Sequence, residues 1–295
     1  MNATRHLRSA LSLGAGYERT PLGSAFERES VRGYFLDFTA KTTSNTAQTP
    51  GALNPAGLAQ LGLGWWERSL RGEPAAESHF LGVCALLEDA AVAERGALWW
   101  PSRLTDSKYV PLSAYSALPQ AQVISVFLRA FLLTNDRRWE RLALDALSPL
   151  LPGADSELVF ESDEGPVLEE VASDPPSHIL NGWIYALWGL LEAKIVLEHD
   201  RAEAMLDSSL ECLRRMLHRY DVGWWSRYSL YPHVLPDLAK PFYHTLHVDQ
   251  LDVLHRLFGG AEFAATAARW RRYDSPVGRV RAVAQKAAFV ASGYR

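Results

Sequence analysis

Segments with apolar residues at helical spacing fill most of the chain after about residue 55. Residues 121–134 keep this spacing, and the spacing starts again over residues 137–147. Between them Asn135 and Asp136 form a turn signal, so the two segments predict a helical hairpin.

A second hairpin is predicted further along the chain. Ser177 is placed to cap a helix that ends near Glu198, and Asp200 with Glu203 has the spacing of a capping box for a helix through about His218. Three more helices are predicted over residues 249–258, 261–273 and 276–292.

Paired helices with long irregular insertions between the pairs favour a mainly α fold, an incomplete α/α barrel or toroid of helical hairpins. The insertions would then form a cleft at one end of the barrel. A helical solenoid is the alternative, but no fixed repeat period supports it.

The N-terminal residues have a different pattern. Residues 33–41 alternate apolar with polar side chains and predict a strand, and residues 42–55 are rich in Thr, Asn, Gly and Pro. We therefore expect a short N-terminal segment with a small β element over residues 1–50 and an α/α-barrel catalytic domain over residues 51–295.

Composition limits the possible partners. The chain has 295 residues, of which 48% are hydrophobic, so it can bury a sizeable core. A formal net charge of −4 supplies no basic surface for nucleic acid. Neither a signal peptide nor an apolar run of about 18 residues is found, which predicts a cytoplasmic protein without a membrane span. Cys84 and Cys212 are expected to be buried free thiols.

Residues 221–250 concentrate aromatic and imidazole side chains among Gly and Pro residues. So many phenols, indoles and imidazoles in one irregular segment predict a concave polar surface that binds a sugar and moves protons. Trp225 is a candidate for contact with the sugar ring. The segment contains Trp224, Trp225, Tyr228, Tyr231, His233, Phe242, Tyr243, His244 and His247.

Two other segments carry polar residues near helix starts. Tyr115 precedes a predicted helix, and Gln122 lies near the start of that helix. Tyr115 also fits a half-buried packing role. Glu169 and Glu170 lie on a loop, where a carboxylate serves as acid, base or salt-bridge partner. Asn181 and Gly182 follow inside an apolar helix, where glycine costs about 1 kcal/mol and needs a packing or access reason. An inward Asn181 could hydrogen-bond a ligand carboxylate or hydroxyl.

His244 and His247 are three residues apart and could share a helical face. No HExxH motif or cysteine cluster accompanies them and no third ligand can be named, so neither a metal nor another cofactor is predicted.

Taken together, these segments resemble the D-glucuronyl C5-epimerase family, which acts on uronic acid residues of glycans such as heparosan. The resemblance implies an α/α barrel, inversion of D-glucuronic to L-iduronic acid, a uronate-containing glycan or glycoconjugate as partner, and a homodimer. It is carried by residues 59–70, 115–136, 167–190, 220–230 and 235–251.

The resemblance also implies roles for individual residues. Glu170 and Tyr243 match a base and an acid on opposite sides of the sugar ring, with Tyr228 assisting proton transfer. The remaining candidates are expected to bind substrate, several of them at its carboxylate. They are Tyr115, Gln122, Asn181, Trp225, Arg227 and His244.

One position departs from the family pattern. The family's Glu-Tyr pair reads Glu170-Val171 here, so an apolar residue replaces a functional tyrosine. It supports one alternative that stays open, a glycan-binding protein without activity. A uronate lyase also stays open, because it removes the same C5 proton.

Overall fold

The structure is a computed structural model, and it describes residues 54–70, 72–102, 109 and 111–292. The strand predicted over residues 33–41 and the domain boundary near residue 50 lie outside these residues. The division of the chain into two parts therefore stays a prediction.

The described residues form helices and two short antiparallel hairpins. In β1–β2 Val92 pairs with Trp99, and in β3–β4 Val159 pairs with Leu168. The helices are α1 Pro55–Leu70, α2 Ala76–Asp89, α3 Ala117–Thr134, α4 Arg137–Leu147, α5 Leu180–Leu197, α6 Asp200–Met216, α7 Pro241–Phe258, α8 Ala261–Tyr273 and α9 Pro276–Ala291. The strands are β1 Val92–Glu94, β2 Ala97–Trp99, β3 Val159–Ser162 and β4 Gly165–Leu168.

Every second helix belongs to an inner layer, in which successive members contact one another. Helix α1 contacts α3, α3 contacts α5, and α5 contacts α7, while α2, α4, α6 and α8 each pack on the inner helix that precedes them. This arrangement of helical hairpins is the predicted incomplete α/α barrel, and the prediction is confirmed.

Inner and outer helices differ in how their surfaces are covered. Residues 180–193 of the inner helix α5 are all buried, as expected for a helix that is apolar on every side. The outer helix α4 buries only Trp139, Ala143, Ala146 and Leu147, which share one face, and its charged residues lie toward water. A buried ion pair between Arg129 and Glu192 joins α3 to α5.

Three details at helix starts differ from the predictions. Helix α7 begins at Pro241 instead of residue 249, because a proline fits the first turn of a helix. Helix α6 is capped by His199, whose Nδ1 accepts from the N–H of Ala202 at 3.2 Å, in place of the capping box. Ser177 does not cap α5, because its hydroxyl donates to the backbone oxygen of Val171 at 2.7 Å.

Helix α3 is the one described helix that is long and apolar enough to cross a membrane. It is mostly buried in the barrel, where core helices pass the same test of length and composition. A cytoplasmic location stays a prediction.

Candidate active site

Hydrogen bonds of Glu169 hold the loop that follows β4 in place. Its Oε2 accepts hydrogen bonds from the Ser177 hydroxyl at 3.1 Å and the His178 N–H at 3.0 Å, and its Oε1 lies 2.5 Å from His178 Nδ1. Glu169 is buried, so these contacts satisfy a carboxylate that water does not reach. The next residue, Glu170, is thereby held at a defined position beside the start of α5.

The carboxylate of Glu170 lies against the first turn of α5. Asn181 Nδ2 donates to Glu170 Oε2 at 3.2 Å. A β-carbon at Gly182 would lie 2.2 Å from the same oxygen and 2.4 Å from Glu170 Cβ. The glycine that the sequence marks as unusual therefore makes room for this side chain.

Tyr228 contacts the Glu170 carboxylate, and Tyr243 packs against Tyr228. The Tyr228 hydroxyl donates to Glu170 Oε1 at 3.4 Å, and the rings of Tyr228 and Tyr243 pack edge to face with centroids 4.9 Å apart. The Tyr228 backbone is held at both ends: its N–H donates to Asp237 at 2.6 Å, and its carbonyl accepts from Leu180 at 3.1 Å. Tyr243 comes from the first turn of α7, so three separate segments converge here.

Both phenols are held in the protonated form. Burial, followed by the nearby Glu170 carboxylate, raises the pKa of Tyr228 well above its usual value. Burial and Glu170 also raise the pKa of Tyr243, while a hydrogen bond with Tyr228 lowers it. At neutral pH the site therefore presents two phenolic proton donors, one of them hydrogen-bonded to the carboxyl group of Glu170.

Two predicted binding residues have polar atoms with unused hydrogen-bonding capacity. Gln122 is buried, and neither its Oε1 nor its Nε2 has a partner among the described residues. Asn181 donates its amide N–H to Glu170, but its Oδ1 has no partner in the part of the chain that the structure describes. Buried polar atoms without partners are costly, so both side chains are suited to meet a bound ligand or water.

Arg227 is half-buried and orders the segment around Tyr228. Its Nε donates to the Ser229 carbonyl at 3.1 Å, and Nη2 donates to the Tyr231 carbonyl at 3.4 Å. Burial lowers the pKa of Arg227. Its expected contact with substrate stays a prediction.

For Trp225 and His244 the structure revises the expected role. The two rings stack with centroids 3.8 Å apart, and both residues are fully buried. Trp225 Nε1 donates to the Ala239 carbonyl at 2.8 Å, while both nitrogens of His244 are bonded, to the Ser226 hydroxyl and the Trp270 carbonyl. Because no ring face or nitrogen remains for a sugar, both residues support the site from inside the core.

Tyr115 is also revised. It is buried against Trp99, with ring centroids 4.6 Å apart. Burial and a hydrogen bond with Glu94 of β1 raise the pKa of Tyr115 to about 12. The hydroxyl therefore faces the β1–β2 hairpin and not Glu170, which favours the packing role that the sequence left open.

Sequence reasoning missed two charged residues behind Tyr228. Lys286 of α9 forms a buried ion pair with Asp237, and its Nζ lies 4.9 Å from the centroid of the Tyr228 ring. Lys286 and Asp237 are 49 positions apart in the sequence, so no local pattern connects them.

Within the part of the chain that the structure describes, no group of three or more His, Cys, Asp or Glu side chains could hold a metal ion. Cys84 and Cys212 are both buried and free, as expected.

Comparisons with known proteins match these features. Residues 102–272 match the family described as "D-glucuronyl C5-epimerase C-terminus". A D-glucuronyl C5-epimerase from Caenorhabditis elegans is 29% identical over 180 residues, which cover 56% of this chain and 29% of that relative. The match thus spans less than a third of the relative's length.

A solved structure of cellobiose 2-epimerase from Spirochaeta thermophila DSM 6192 is similar in fold. The two structures share a TM-score of 0.51 at 14% sequence identity, over 74% of this chain and 57% of the other. At this identity the similarity concerns the fold alone.

Proposed function

The chain belongs to the D-glucuronyl C5-epimerase C-terminus family, and from this membership we propose that it inverts C5 of a D-glucuronic acid residue in a glycan. The product is an L-iduronic acid residue, and a heparosan-like glycan is the first substrate to test. A homodimer stays a prediction.

Inversion at C5 requires two proton transfers on opposite faces of the sugar. A base removes the weakly acidic proton beside the carboxylate, charge develops on an enediolate-like intermediate, and an acid returns a proton from the other side. No oxidation takes place, so side chains that hold and move protons can supply the chemistry.

The observation that carries the proposal is the contact of the Glu170 carboxylate with the protonated phenol of Tyr228, against which the protonated phenol of Tyr243 packs. Glu170 takes the C5 proton, Tyr243 donates a proton to the opposite face, and Tyr228 assists by passing a proton to Tyr243. The Tyr228–Glu170 hydrogen bond of 3.4 Å is long and therefore weak, so a substrate can displace it at little cost.

The substrate carboxylate needs donors of its own. Among the described residues, Gln122 Nε2 has no partner and can donate to the carboxylate, and Arg227 lies on the Tyr228 segment. Asn181 Oδ1 is an acceptor and suits a neighbouring hydroxyl. We assign these three side chains to binding of the uronate carboxylate and neighbouring hydroxyls. Val171 packs with Tyr109 and Ile179 and cannot transfer a proton, so the proposal uses Glu170, Tyr228 and Tyr243 alone.

Incubation with a glucuronate-containing glycan in D₂O tests the proposal. We expect deuterium at C5 together with iduronate signals in the NMR spectrum. An unsaturated uronate, detected by its ultraviolet absorbance, without iduronate would identify a lyase. Absence of deuterium from several uronate-containing glycans would overturn proton transfer and leave a glycan-binding role.

A further inference from the structure

A buried ion pair lies directly behind Tyr228. Lys286 and Asp237 have 4% and 0% of their surface exposed, and the Lys286 ammonium contacts Asp237 Oδ1. Asp237 Oδ2 accepts hydrogen bonds from the Ser229 hydroxyl at 2.8 Å and from the Tyr109 hydroxyl. Both carboxylate oxygens thus have partners, as a buried carboxylate requires.

The pair contacts Tyr228 at two points. The Lys286 Nζ lies 4.9 Å from the centroid of the Tyr228 ring, within the range of a cation–π contact. The Asp237 carbonyl accepts the Tyr228 N–H at 2.6 Å. One ion pair therefore holds both the ring and the backbone of the residue between Glu170 and Tyr243.

The ionisable groups around Tyr228 differ in how they affect the loss of its phenolic proton. Glu170, Tyr243, Tyr109 and Asp237 each oppose formation of a Tyr228 phenolate. Among the described residues, Lys286 contacts the ring as a cation, and a cation stabilises a phenolate more than a neutral phenol. Its charge thus has the sign that opposes the effect of its acidic neighbours.

We propose that Lys286, held by Asp237, is a positioning residue that keeps the Tyr228 ring beside Tyr243 and stabilises Tyr228 as it loses a proton. The inference rests on the proposed function. After Tyr243 has protonated C5, the O–H bond of Tyr228 breaks and the proton forms a new O–H bond on the Tyr243 phenolate. The negative charge then resides on Tyr228, beside the Lys286 ammonium.

Packing alone does not explain a lysine at this position. Lys286 lies on the buried face of α9 together with Ala282 and Phe289. Apolar side chains of similar volume commonly serve a buried position as well as an ion pair does. The residue also follows residue 272, where the match to the family ends.

The test measures ionisation of Tyr228 directly. All 11 tyrosines are replaced with a fluorotyrosine, whose phenol is more acidic, and the ¹⁹F signal of Tyr228 is identified by its loss in Tyr228→Phe. In Lys286→Met we expect the pH of half-titration to rise by about 1 or more, because Asp237 remains as an uncompensated charge. Lys286→Arg should stay close to the wild type.

A double variant and a control make the test specific. Lys286→Met with Asp237→Asn removes both charges, so its half-titration should return toward the wild-type pH even if Lys286→Met alone folds poorly. Arg281→Met removes a cation of the same helix that packs on Trp224, and it should leave the Tyr228 signal unchanged. A half-titration of Lys286→Met at the wild-type pH would overturn the inference, and so would a double variant that keeps the full rise of Lys286→Met.

Deuterium uptake at C5 separates this inference from the proposed function. With both correct, Lys286→Met should slow uptake about 10-fold to 100-fold and Lys286→Arg much less. If the wild type takes up no deuterium while the Tyr228 titration depends on Lys286, the proposed function fails and the electrostatic role stands.

Discussion

Gly182 provides the space that the Glu170 side chain occupies. A β-carbon at residue 182 would lie 2.2 Å from Glu170 Oε2 and 2.4 Å from Glu170 Cβ. Glycine inside a helix costs about 1 kcal/mol relative to alanine. Gly182 thus lowers the stability of helix α5 at the position where the Glu170 carboxylate approaches the helix.

Gly182→Ala is expected to displace Glu170 and its loop. Deuterium uptake at C5 should fall at least about 100-fold, because a small misplacement of a reacting group has effects of this size. The variant should also be less stable than the wild type, although alanine is the better helix former.

Gly82→Ala is the matched control for this prediction. A β-carbon at Gly82 in helix α2 would meet nothing within 4 Å, so this change should add up to about 1 kcal/mol of stability and leave activity unchanged. Equal stability and activity of the two variants, measured by urea unfolding and deuterium uptake, would contradict the role of Gly182.

Gln122→Met tests whether the Gln122 amide binds a ligand. Its buried amide has no partner among the residues that the structure describes, so an apolar side chain of similar size should leave stability unchanged or raise it by about 1 kcal/mol. The KM for glycan should rise if the amide binds substrate. Thermal unfolding and initial rates measure the two effects.

The neighbouring Gln120 provides the comparison. Its Nε2 donates to the carbonyls of Leu98 and Ala146, both at 2.8 Å. Gln120→Met should therefore cost about 1–3 kcal/mol, because it leaves two buried acceptors without this donor. A Gln122→Met variant that loses as much stability as Gln120→Met would show that the Gln122 amide is structural.

Two buried histidines predict that the fold weakens in mild acid. Burial lowers the pKa of His244, and burial together with His244 and Lys286 lowers the pKa of His247 well below its usual value. Below about pH 6.5 the unfolded chain binds protons that the folded chain does not, so stability falls with decreasing pH. Each histidine contributes up to about 1.4 kcal/mol per pH unit until its folded pKa is reached.

Urea unfolding at pH 7.5 and pH 5.5 measures this loss. His247→Gln should lose less stability between the two pH values than the wild type. His218→Gln changes an exposed ring and should show the wild-type difference. Equal differences for all three proteins would rule out His247 as a source of the acid sensitivity.

The helical hairpins could be predicted because their signals are local. Helix α4 shows its apolar face within 11 residues, and Asn135 adopts the left-handed conformation expected of a turn, with φ of 55°. The predicted start of α7 at residue 249 was wrong, because residues 241–248 are rich in aromatic and imidazole side chains, which obscure helical spacing. Pro241 at the first position was the available signal.

Side-chain surroundings could be predicted only in part. Gly182 signalled a close approach, but its partner Glu170 could not be identified from helical spacing. Trp225 and His244 are residue types that commonly bind sugars. In this fold, however, the two rings stack on each other inside the core. Contacts of this kind depend on which faces meet after folding, and residue type alone does not determine that.

The central claim is that Glu170 exchanges the C5 proton with help from the two tyrosines. The most direct measurement is the rate of deuterium uptake at C5 of a glucuronate-containing glycan for the wild type and for Glu170→Gln, which keeps the size of the side chain and removes the base. We predict uptake by the wild type and a decrease of about 10²–10⁴-fold in the variant. Uptake by Glu170→Gln at the wild-type rate would contradict the account.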